Sequence, residues 1–387
     1  VVHLNRKPEG TLLLFAAAGL ISTFFLDFAE AKPNRILSGV RLGSFDFLGI
    51  YAGILVLVFA VVIVSSVLRD GKIGHMISGM AASAGIAVLL LSVGLMASLA
   101  IPEGTSPRIS ISSGMYITLL CLYIILGTSM RRLKGHRTLK LVLAAVAALP
   151  ALFAVASGSY SDLSIMKEYQ VKKSQFAGNL ETHLFLSFGS TLAAAVIAMP
   201  FGYLAYKKPR LEGKIMTPMA FFETIPTLSL FGILMVPLGY LGTIGIFKAI
   251  GVSGIGWAPA FIALTLYGLL PIARNTLAGF KNVDAGVVEA AEGMGMGKGR
   301  VLWRIELPLA FPVIFAGIRV ALVQAIGGAV LAGLVGGGGL GSFVFLGLAE
   351  ASSDLVLLGV IPIVLMTLTG DSLMKAAVKR LEIGGAV

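Results

Sequence analysis

Charge is scarce in this chain. Asp, Glu, Lys and Arg make up 13% of its 387 residues, where a soluble globular protein carries about 25%. With 57% hydrophobic residues and a mean hydropathy of +0.94, a water-soluble fold would have nowhere to hide its apolar surface. Cysteine is nearly absent as well. Cys121 stands alone, which excludes an intramolecular disulfide and any multi-cysteine metal site, and its apolar surroundings read as those of a small buried hydrophobe. Glycine, by contrast, is abundant at 48 residues, which suits close approach of helix backbones inside a membrane. The net charge of +11 comes from bases clustered between apolar runs. That pattern points to membrane topology and anionic lipid headgroups, and away from nucleic acid.

A helix needs roughly 20 mostly apolar residues to cross a bilayer. Ten runs fit: 11–29, 47–67, 76–101, 113–129, 139–157, 184–206, 218–244, 258–279, 313–335 and 352–374. The run 218–244 is interrupted by Pro226 and Pro237. The first run also has marks of a signal peptide, with Arg6 and Lys7 ahead of it and Ala29-Glu30-Ala31 resembling a cleavage site. Cleavage there would leave nine spans. Most Lys and Arg fall in alternate connections, including 131–140, 207–214 and 281–304, which places these inside and both termini in the cytoplasm. The first outer connection, with Lys32, Arg35 and Arg41, fits this less well. The expected fold is an all-α polytopic membrane protein. Residues 1–157 form an N-terminal region of about five spans, 158–183 a polar outer loop, and 184–387 a second five-span unit.

Three enzyme constellations are missing or incomplete. Gly251-Val252-Ser253-Gly254 mimics the nucleophile motif of intramembrane serine proteases, yet His3, His75, His136 and His183 all fall in predicted loops or at span edges. Gly297-Lys298 is followed by Gly299, so there is no Walker A sequence. No metal ligands are assigned. The chain reads as a transport subunit without catalytic residues.

The most informative stretch is 281–312, between two predicted spans. Asp284 is placed to cap a short helix, glycines 293, 295, 297 and 299 interrupt it, and a second short helix is predicted to stop near Pro308 and Pro312. Glu289-Ala290-Ala291 is followed after three residues by Gly295, and after nine more by Ile305-Glu306-Leu307-Pro308. This spacing resembles the EAA loop of bacterial ABC-importer permeases. Glu223-Thr-Ile-Pro-Thr-Leu-Ser-Leu230, Gly268-Leu-Leu-Pro-Ile-Ala-Arg-Asn-Thr276 and Gly336-Gly-Gly-Gly-Leu-Gly341 further resemble the branch that imports glycine betaine, choline and related osmoprotectants. Glu223 stands where that branch usually has Gln. The five extra N-terminal spans look like those of the longer Yeh-type permeases.

The resemblance implies a type I permease core of five to six helices working by alternating access. It implies two ABC ATPase subunits, which hold ATP and Mg, docked on Glu289, Ala290, Ala291, Gly295, Ile305, Leu307 and Pro308. It also implies a periplasmic substrate-binding protein and a second permease copy, in the bacterial inner membrane among its lipids, with no cofactor on this chain. Glu223, Thr224, Pro226, Ser229, Asn275 and Arg319 are candidates for the pathway or a gate, because polar or helix-breaking residues in apolar spans are costly and often functional. Arg319 also has a structural alternative, reaching along the span to the interface. Rival readings are an ABC permease for another small solute such as an amino acid, and a secondary transporter or channel. The latter needs charged residues along a path, and the spans are nearly free of them. With Cys121 replaced, single cysteines at positions 208 and 298 are expected to resist an impermeant thiol reagent added outside intact cells, and one at 172 to react; labelling of position 298 would reverse the orientation.

Overall fold

A computed structural model describes residues 9–33, 39–68, 71–100, 108–133 and 135–384. His3, Arg6, Lys7, Arg35 and Arg69 lie outside the described residues. The chain divides into two compact units, Val1–Val171 and Lys172–Val387.

In the first unit the order is α1 (Gly10–Phe25), β1 (Asp27–Lys32), β2 (Val40–Gly43), α2 (Ser44–Leu48), α3 (Ile50–Leu68), α4 (Lys72–Leu99), β3 (Arg108–Ile111), α5 (Ser113–Arg132), α6 (Arg137–Ala156) and α7 (Ser164–Val171). Helices α3 to α6 are each long and apolar enough to cross a membrane. Helix α1, at 16 residues, stops short of the usual span length. It packs on α3 and α5, and α4 packs on α3, α5 and α6. The α1–α3 contact depends on Gly19, because a Cβ there would fall inside the Phe59 ring. The short sheet β2-β1-β3 is antiparallel throughout and was not expected from the sequence. Its central strand buries Phe28 and Ala29. Arg108 on β3 reaches the nearly buried Glu168 of α7 at 2.5 Å. On β1, burial disfavours the Glu30 carboxylate, but the Gly39 N–H and the Lys32 ammonium outweigh it and hold its pKa below the usual carboxylate range.

The second unit opens with α8 (Lys173–Leu184), a π turn at Phe185–Gly189, and α9 (Ser190–Lys207), which together form one apolar segment. Most of the expected outer loop 158–183 is therefore helical, in α7 and α8. His183, expected at a span edge, lies inside the helical segment and is fully buried. After a 3-10 turn come α10 (Glu212–Thr224) and α11 (Thr227–Leu241), bent by 104° at a break of two residues. Pro226 supplies that break, since it lacks the N–H that would continue the helix. Next are α12 (Gly245–Ala249), α13 (Trp257–Lys281), α14 (Ala285–Gly293), α15 (Lys298–Val301), a π turn at Leu302–Glu306, α16 (Leu307–Gly328), a 3-10 segment at Ala329–Val335, α17 (Gly341–Ala349) and α18 (Ser353–Gly384).

Among the described residues, eight helices are long and apolar enough to span a membrane, or nine if the bent pair is one span. Helix α13 is the centre of the second unit, lying along α9 and α16. The contact is close because small residues line it: Ala194, Ala195, Ala198, Ala273 and Ala321 are buried together. A Cβ on Gly317 would lie 2.5 Å from the Asn275 Cβ and 2.8 Å from the Pro271 carbonyl oxygen.

The lone cysteine gives a readout for the first unit. Cys121 is buried in its core. Gly19→Val is expected to force α1 and α3 apart at a cost of about 1–3 kcal/mol, as overpacking usually does. In a thermal ramp with a thiol-reactive dye, Cys121 of the variant should become reactive at a lower temperature than in the parent.

Candidate functional site

Two places in the second unit combine polar chemistry with access. The first is the connection between α13 and α16. Asp284 ends the extended approach and accepts a hydrogen bond from the Gly286 N–H at 2.6 Å, capping α14 as its side chain allows. Helix α14 carries Glu289 and Ala290 exposed and Ala291 buried. It ends in a turn where Gly295 has φ +85°, a left-handed conformation that glycine tolerates and β-branched residues do not. The chain then re-enters a helix at Lys298. The expected stop near Pro308 and Pro312 does not occur. The π turn 302–306 runs into α16, with the Leu307 N–H donating to the Leu302 carbonyl. Pro308 follows directly on that π turn, whose wider winding accommodates its missing N–H. Ile305 and Leu307 are half-buried and Pro308 is exposed.

Large apolar side chains stand out of this connection: Trp303 is 70% exposed, Met294 78% and Val287 44%. Glu306, by contrast, is buried. Its carboxylate accepts from Lys207 Nζ at 2.9 and 3.3 Å and from the Tyr206 hydroxyl at 3.2 Å. The end of α9 is thereby fastened to the π turn.

The second place is a cavity of about 240 Å³ bounded by α10, α11, α13 and α16. Glu223 and Thr227 flank the helix break, Tyr267 and Gly268 come from α13, and Gln324 and Gly328 from α16. The Tyr267 hydroxyl donates to the Ile225 carbonyl at 2.5 Å. That carbonyl sits at the break, and the bond fixes the ring against it.

The other candidates lie elsewhere. Thr224 turns back to the Phe221 carbonyl at 2.7 Å, and Ser229 is exposed on α11. Asn275 donates to the Pro271 carbonyl of its own helix at 2.8 Å. Arg319 is paired: its Nε and Nη2 both lie 2.6 Å from Asp371 Oδ1, and Lys375 Nζ lies 2.6 Å from Oδ2.

Residues 194–383 match the family described as binding-protein-dependent transport system inner membrane component. Residues 7–166 match the N-terminal domain of the ABC transporter permease YehY. The carnitine transport permease protein OpuCB of Listeria monocytogenes is 35% identical over 186 residues, 48% of this chain and 78% of that protein. The chain belongs to the ABC-importer permease family. The choline transport system permease protein OpuBB of Bacillus subtilis is 31% identical over 203 residues, 52% of the permease and 87% of OpuBB. The osmoprotectant import permease protein OsmW of Salmonella typhimurium is 36% identical over 192 residues, 50% and 85% respectively. The permease is thus a transport subunit and an integral protein of the inner membrane.

Of the pathway candidates, the permease brings only Glu223 to the cavity wall, with Pro226 at the break beside it. Thr227, Tyr267 and Gln324 share that wall and were not singled out for it from the sequence. Tyr267 lies 42 positions from its carbonyl partner, so no local spacing could mark it. Trp303 had a legible signal: it is a large aromatic residue in a polar connection between two spans. Glu306→Ala in the permease is expected to cost about 2 kcal/mol, below the roughly 3–5 kcal/mol of a fully buried pair, because Lys207 is almost half exposed. Glu306→Gln, which keeps an acceptor, should cost less, and thermal unfolding of the two variants measures the difference.

Proposed function

We propose that this permease forms the membrane path of an importer for glycine betaine, choline or a related quaternary amine. A periplasmic binding protein selects the solute and delivers it. Two permease copies pair, and two separate ATPase subunits, which hold ATP and Mg, dock on the connection 281–312. Residues 184–387 are the permease core, 1–157 an additional membrane region, and 158–183 lies on the periplasmic side. Both termini are cytoplasmic.

The observation that carries this reading is the exposed apolar set Val287, Met294 and Trp303 on a capped helix and turn between two spans. A surface of this kind is suited to a soluble partner with an apolar groove. Glu289, Ala290 and Ala291 lie on the docking helix α14, and Gly295 sets its angle to the next segment. Ile305, Leu307 and Pro308 lie where that segment continues into α16. This continuity supports a simple transmission. Residues 298–335 are one uninterrupted helical segment, so a displacement at Trp303 travels along α16 to Gln324 and Gly328 in the cavity wall. The permease contributes no covalent step. It supplies two packings whose relative stability the ATPases change.

Gly295 provides the test. A Cβ there would meet nothing within 4 Å, so any effect of substitution comes from the backbone and not from a clash. Gly295→Val is expected to abolish uptake while leaving membrane insertion intact, because a strained left-handed residue costs on the order of 1–3 kcal/mol. Gly295→Asn, which tolerates that conformation, should keep most of the uptake. Normal uptake by the Val variant would remove the coupling role from this connection.

A further inference from the structure

Three acidic side chains in the helical segments of the second unit have cationic partners. Glu212 meets Lys281, Glu306 meets Lys207, and Asp371 meets Arg319 and Lys375. The exposed Glu181, Glu289 and Glu292 form no ion pair among the described residues, and Glu223 differs from these three by its position. It sits at the end of α10 beside the helix break, it lines the cavity, and it forms no ion pair among the described residues. Its side chain is exposed, so the carboxylate is open to a ligand that enters the cavity. Much of the remaining wall is apolar, including Leu264, Ala321 and Ala325. The cavity of 240 Å³ holds about eight waters at roughly 30 Å³ each, which is room for a small solute and too little for a large one.

We infer that this cavity is a transit site for a small organic cation, with Glu223 as its counter-ion, and that the permease therefore favours a net-positive amine such as choline over a zwitterion such as glycine betaine. The inference rests on the substrate class proposed above and narrows it by charge. A permanent ammonium cannot donate a hydrogen bond from its head, so its recognition relies on negative charge and aromatic rings. Glu223 supplies the charge. Tyr267, fixed through its hydroxyl, supplies a ring that stays in place. The apolar wall accommodates methyl groups. Thr227 and Gln324 leave a hydroxyl and an amide for a polar tail. A zwitterion brings its own carboxylate into the same small space, where Glu223 repels it.

Two measurements on the full-length permease test this. In the first, saturation-transfer NMR on the permease in nanodiscs follows tetramethylammonium, choline and glycine betaine separately. Glu223→Gln is expected to weaken tetramethylammonium and choline about tenfold, the effect of one well-placed charge, and to leave glycine betaine nearly unchanged. Glu223→Asp should retain most of the cation binding. In case Glu223→Gln misfolds, Gln324→Glu is the converse variant, expected to strengthen choline relative to glycine betaine. Equal choline binding by wild type and Glu223→Gln, or a shift in the opposite direction in Gln324→Glu, would overturn the site. In the second, uptake by the complete importer separates this inference from the broader reading. Choline uptake that falls in Glu223→Gln while glycine betaine uptake persists supports it. Uptake of both that is indifferent to Glu223 overturns it and leaves the quaternary-amine importer standing. An importer that moves neither solute, while the permease still binds tetramethylammonium through Glu223, overturns the importer assignment and supports the cation site.

Discussion

Hydrocarbon offers a backbone nothing to bond to, so every carbonyl and amide that a helix break releases must find a partner within the protein. The second unit is arranged around that constraint. Pro226 interrupts α10 and α11, and the Ile225 carbonyl beside it is taken by Tyr267. The α16 helix tightens into a 3-10 segment near its end, and the Ile326 carbonyl lies 3.1 Å from His183 Nε2. A carbonyl can only accept, so this geometry places the proton on Nε2. Asn275 adds a side-chain bond to the Pro271 carbonyl one turn back in its own helix. The Tyr267 hydroxyl and the His183 imidazole are thus explained by the backbone they complete. Glu223 has no such backbone duty in this structure.

Charge follows the same logic. Arg319 looked isolated in an apolar run, yet its partner Asp371 lies 52 positions away on α18. Glu306 is buried because Lys207 and Tyr206 arrive from α9 to receive it. Once these pairs are formed, the charges join helices to each other. They fasten α9 to the start of α16 and α18 to its middle, and α16 is the helix that links the exposed Trp303 to the cavity wall.

The spans were legible because long apolar runs have little choice but to form membrane helices, and α3, α4, α5, α6, α13 and α18 fall close to the runs that predict them. The Asp284 cap and the Gly295 turn were legible because each depends on a single residue type at a single position. The β1–β3 sheet was not, since six residues beginning at Asp27 and following an apolar helix carry too little alternation to signal a strand. The run 218–244 hid a sharp bend, because proline reports that a helix is interrupted but not by what angle. The continuation through Pro308 was missed for a related reason. A π turn just ahead of a proline lets a helix absorb it, and π turns have no simple sequence mark. The cavity was only half visible: Glu223 stands out as a charge in a span, while Thr227, Tyr267 and Gln324 acquire meaning only when three separate elements meet.

The uninterrupted segment from Lys298 to Val335 holds 38 residues. At roughly 1.5 Å per residue it is about 57 Å long, nearly twice the roughly 30 Å hydrocarbon thickness of a bilayer. It must therefore project well beyond the lipid or lie steeply tilted within it. Either way it is a lever with its fulcrum among α9, α13 and α18. Pivoting near its middle on an arm of about 28 Å, a rotation of about 10° moves its tip by about 5 Å, roughly one helical turn. Large changes at one surface of the membrane then need only small changes in packing at its centre.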